Sequence, residues 1–101
     1  MTDPQTVISP KDMWTLLAVL YCSNEKEHGW SIALGQWDGV SRLAVRWNGD
    51  KAHPKGNPTS RGIPTWFVAP EELESHLLAY EGITAEKRTL AEVVLRKVSA
   101  I

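Results

Sequence analysis

Apolar and polar positions alternate most clearly in the middle of the chain. The run WSIALGQW over residues 30–37 is followed by DGVS and then by RLAVRW over residues 42–47. This is the pattern of two strands joined by a short turn carrying Asp-Gly. A loop over residues 38–41 would set Trp37 opposite Arg42, Gly35 opposite Ala44 and Ala33 opposite Arg46. Since side chains alternate along a strand, one face then collects Trp30, Ile32, Leu34, Leu43, Val45 and Trp47. That face reads as core, with Trp14 also assigned inward. The other collects Ser31, Ala33, Gly35, Trp37, Arg42, Ala44 and Arg46: small residues framed by two arginines and a tryptophan. Such a face leaves room for a flat ligand, a helix or a second subunit.

IPTWFV over residues 63–68 predicts a further strand, with Pro64 near its start where a missing donor is tolerated. In APEELESHLLAYEG, Pro70 suits a first helical position, Glu71 and Glu72 suit the positive end of the helix dipole, and Gly82 suits the stop. A helix is expected over about residues 70–81. A second, over about residues 85–99, follows Thr84 as cap and carries Leu90, Val93, Val94 and Val98 on one stripe, with Arg88, Arg96 and Lys97 on a basic outer side. The run MWTLLAVLYC over residues 13–22 is apolar whether wound or extended. Ser9 to Asp12 before it resembles a helix start, whereas Thr15, Val19, Tyr21 and Cys22 favour a strand, the reading adopted here. SNEKEHG then connects it to the next strand. The expected class is α+β: an antiparallel four-stranded meander followed by one or two C-terminal helices packed on one face, with residues 1–12 a flexible lead-in and 13–101 a single domain.

A chain of 101 residues with 43% apolar and 23% charged side chains is sized for one folded core. Its longest apolar run is about half of what a membrane-spanning helix needs. The N-terminus lacks a signal-peptide pattern and the single cysteine cannot pair internally, so a cytoplasmic protein is expected. The formal net charge of -1 speaks against a strongly basic nucleic-acid binder, but its distribution is uneven. Residues 42–62 carry five basic side chains against one acidic, and the stretches on both sides are net acidic.

That basic stretch contains RWNGDKAHPKGNPTSRG, residues 46–62. Backbone donors near Gly49, Gly56 and Gly62, with Lys51, Lys55 and Arg61, form a pattern that can meet phosphates. The glycine spacing of a phosphate loop is absent, and a solvated connection with Gly and Pro setting turns would look similar. Its length favours function. Five tryptophans add a stacking hypothesis, for which Trp37, with Trp66 as a second candidate, falls on the arginine face. His28, His53 and His76 are far apart in the chain, no metal-ligand spacing occurs, and Cys22 reads as a small core hydrophobe. Neither a catalytic residue, a metal nor a cofactor is indicated.

The order LAVLY, GWSIALGQWDG, SRLAVRWNGD, SRGIPTWFV, PEELESHLL resembles the bacterial members of the transcriptional coactivator family known as positive cofactor four, small single-stranded DNA-binding proteins. The likeness spans about residues 14–80 and is one of pattern. It implies a homodimer made through the helix after the sheet, and a non-enzymatic, transcription-related module gripping single strands. By position the binding residues would be Trp37, Arg42, Arg46, Lys51, Lys55 and Arg61. The alternative is a protein–protein interaction module, such as a small phage or host regulator, using the same surface without nucleic acid.

Overall fold

The computed structural model describes residues 1–23 and 28–96. Three long strands, β1 (Trp14–Cys22), β2 (Gly29–Trp37) and β3 (Val40–Gly49), form an antiparallel meander. A short strand β6 (Phe67–Val68) completes the sheet in the order β1-β2-β3-β6. Between β3 and β6, β4 (Thr59–Ser60) and β5 (Ile63–Pro64) make a separate small hairpin. A 3-10 turn (Glu71–Leu73), α1 (Glu74–Leu78) and α2 (Ala85–Leu95) follow. The class is therefore α+β, with the extended reading of residues 13–22 correct. No helix among the described residues is long and apolar enough to cross a membrane.

The β2–β3 turn is tighter than the spacing of DGVS suggests. Asp38 and Gly39 both have positive φ, 51° and 80°, the two-residue mirror-image turn that Asp-Gly favours. Trp37 therefore faces Val40, Gly35 faces Arg42 and Ala33 faces Ala44. This register differs from the expected one by two residues, so every side chain keeps its face.

The first face carries the main core: Ile32, Leu34 and Leu43, together with Leu20 from β1, meet Leu78, Ile83 and Ala91 from the helical segment. Each fully buried Ile or Leu contributes about 1.5–3 kcal/mol. Tyr21, Trp30 and Tyr80 form an aromatic trio at its edge, with ring centroids 4.9–5.2 Å apart. A hydrogen bond to Tyr21 raises the Tyr80 phenol above its ordinary pKa, and burial adds to this. Trp30 is half-buried within this trio.

The second face is closed too. Val7, Trp14 and Trp66 cover Ala33 and Ala44. A Cβ on Gly35 would come within 2.3 Å of the Trp14 ring, so only glycine admits this indole onto the sheet. The lead-in segment lies beneath Trp66, whose Nε1 donates to Val7 O at 2.7 Å. Thr2 N donates to Asn48 O at 2.9 Å. The small residues of this face accommodate the chain's own indoles, and Trp66 points inward.

IPTWFV is broken rather than continuous. Pro64 closes the small hairpin, Trp66 turns under the sheet, and only Phe67 and Val68 pair with β3. The helix expected over residues 70–81 is likewise shorter, and Arg88 of α2 takes up carbonyls at and beyond its end. Arg88 Nε donates to Leu78 O at 2.7 Å, and Nη2 donates to Tyr80 O and Ile83 O at 3.0 and 3.2 Å. Arg88 is thus a capping side chain of the interior and not part of a basic outer surface. Thr84 caps α2 as expected, its Oγ1 accepting from Lys87 N at 3.3 Å. Ala91, Val94 and Leu95 pack on the core, while Leu90 and Val93 of the expected stripe are exposed. Lys97, Val98 and Ser99 lie outside the described residues, as does most of the connection between β1 and β2.

Candidate nucleic-acid interface

The segment over residues 46–62 folds around one side chain. Arg46 is buried, with 3% of its surface exposed. Its Nε donates to Trp47 O at 3.2 Å, Nη1 to Thr65 O at 2.8 Å and Nη2 to Lys55 O. The planar fork of guanidinium donors allows one side chain to hold three separate backbone positions. Burial pushes its pKa below the ordinary arginine value. Gly56, at φ 67°, passes close beneath: a Cβ there would lie 2.0 Å from Trp47 O and 2.8 Å from Arg46 Nη2. Trp47 and Asn57 then pair as an antiparallel bridge, through bonds of 2.8 and 3.1 Å. The loop is an organised element, and Arg46 is what organises it.

The six residues expected at a ligand site are therefore dispersed. Trp37 stands at the hairpin turn, 36% exposed. Arg46 is near the other end of the same pair of strands, opposite Ser31, six positions along β2 and roughly 20 Å away. Arg42 is half-buried, with Nη1 3.7 Å from Oε2 of the buried Glu74. Lys51, Lys55 and Arg61 are exposed on the folded loop. Two of these adjoin: Lys55 Nζ lies 3.6 Å from the position a Cβ on Gly62 would take, beside the Arg61 turn.

Trp47 overturns the parity expectation. It shares the core face, but β3 runs on past the edge of the helices, and 55% of the residue is exposed. Phe67, paired with Val45 in the neighbouring strand, is 57% exposed. Trp47 separates two cavities. One, of about 350 Å³, runs between Trp47 and Phe67 over Val45, Pro58 and Leu77. The other, of about 620 Å³, lies between Trp47, Asp50, His53 and His28. His28 and His53, separated by the whole of β2 and β3, thus line one hollow that their sequence spacing gave no hint of. No group of three or more His, Cys, Asp or Glu side chains among the described residues could hold a metal ion. No family model, curated protein or solved structure matches the chain.

Proposed function

We propose that the protein is a binding module for single-stranded nucleic acid, and that its contact surface is centred on Trp47 and Phe67. The supporting observation is the exposure of these two aromatic rings beside cavities that meet at Trp47, on the element that also carries exposed Lys51, Lys55 and Arg61. Aromatic faces stack on any base, and mobile cations along the path neutralise phosphates. In this reading Arg46 does not touch the ligand but shapes the loop that does. Arg42, held near Glu74, and Trp37, at the remote turn, are outside the contact.

The apolar floor of the smaller cavity, with Val45, Pro58 and Leu77, also suits an extended peptide, which keeps a protein partner as the rival occupant. Titration of a fluorescently labelled oligothymidylate at low salt separates the two. Saturable binding that quenches tryptophan emission and weakens with salt is expected. An absence of binding at low salt would refute the nucleic-acid reading and favour the peptide.

A further inference from the structure

The two cavities beside Trp47 share Asn57 in their lining and differ otherwise: the larger one adds Asp50, His53 and His28, the smaller one Arg46 and apolar side chains. Asn57 faces Trp47 across the antiparallel bridge, so the two side chains rise on the same side. The bridge uses the backbone of Asn57, leaving an exposed amide with a carbonyl acceptor and two N–H donors. Asp50 is oriented by the turn that follows it. Its Oδ1 accepts from His53 N at 2.7 Å and lies 3.4 Å from His53 Nδ1. The backbone bond from His53 is the foremost reason its carboxyl sits below the usual aspartate range, which keeps it an ionised acceptor.

Resting on the nucleic-acid reading, we infer that this cavity is a nucleobase pocket selective for guanine. Stacking on Trp47 is open to every base, so discrimination falls to the edge. A carboxylate offers acceptors only. Guanine alone presents a ring N–H and an amino group side by side, a donor pair matching the two carboxylate oxygens, next to an O6 acceptor within the chemistry of the Asn57 amide. Thymine and uracil present one N–H between two carbonyl oxygens that a carboxylate repels. Adenine and cytosine place a ring acceptor beside their single amino group.

The test uses the full chain and four labelled strands: an oligothymidylate, and the same strand with one central guanine, adenine or cytosine. The guanine strand should bind about tenfold more tightly than the other three. In Asp50→Asn an oxygen remains to accept from His53 N, so the turn is retained, checked by near-ultraviolet circular dichroism. The second acceptor becomes a donor, and the guanine preference should shrink to within about twofold. Asn57→Ala, whose backbone bridge to Trp47 persists, should reduce the same preference. Equal affinity of the wild type for all four strands would overturn the guanine pocket while leaving the nucleic-acid reading standing. So would a preference unchanged in both variants. Binding of none of the strands would overturn both.

Discussion

Arg46 and Trp47 are consecutive in β3 and point to opposite faces of the sheet, yet the charged residue is 3% exposed and the aromatic one 55%. Hydropathy alone would exchange them. The guanidinium is buried because backbone carbonyls of Trp47, Lys55 and Thr65 converge on it, and the same bonds fix the loop. The indole is exposed because β3 continues beyond the cover given by the helical segment. One face of the sheet is thus closed by the chain's own hydrogen bonds and by Trp14 and Trp66. The open end of the other holds Trp47 and Phe67, each more than half exposed among the described residues. On the reading proposed above, the difference directs the search for a contact to Trp47 rather than to the buried Arg46.

This contrast breaks first on the closed side. Trp66→Ala removes a buried indole and its bond to Val7 O, and should lower stability by about 3–5 kcal/mol in denaturant unfolding. A loss below about 1 kcal/mol would mean that the face is not sealed by this ring. Arg46→Ala should cost about 2–4 kcal/mol, since three bonds from a charged donor are lost together. Arg46→Lys should recover little, because an ammonium cannot reproduce the fork.

The open side is sharpened by salt. If Lys51, Lys55 and Arg61 each neutralise a phosphate, log affinity should fall with log salt at a slope of roughly -2, and each change to Ala should remove about 0.7 of it. A slope unaltered in the triple variant would detach the loop cations from the ligand. The smallest effect belongs to the Asp50 turn. Its carboxyl pKa is depressed in the fold, so its support for the turn is present above the ordinary aspartate pKa and is lost as the pH falls through the folded value. The His53 amide resonance should report this as a shift confined to acid pH. An amide that does not shift as the pH falls would contradict the Asp50 bond to it.

Much of the fold was legible because period-two alternation is a local property. β2 and β3 follow from it, and a two-residue error in the turn left the faces intact. The extended state of residues 13–22 followed from β-branched and aromatic positions. Cover is a different matter. Parity placed Trp47 on the core face but could not say that the helical segment stops short of it. The burial of Arg46 depends on carbonyls nine and nineteen residues away. The inward turn of Trp66 could not be read from IPTWFV because its partner, Val7, lies in a segment with no strand or helix periodicity. His28 and His53 meet only through the curl of the loop, and a glycine-rich stretch after a basic strand was the one signal that such a curl existed.

The most direct test of the account is Trp47→Ala, measured twice. In denaturant unfolding the variant should stay within about 1 kcal/mol of the wild type, since the ring is more than half exposed. In oligothymidylate titration at low salt it should lose about 1–3 kcal/mol of binding free energy. A variant that binds as the wild type does, or one that unfolds, would contradict the assignment of Trp47 as a contact surface.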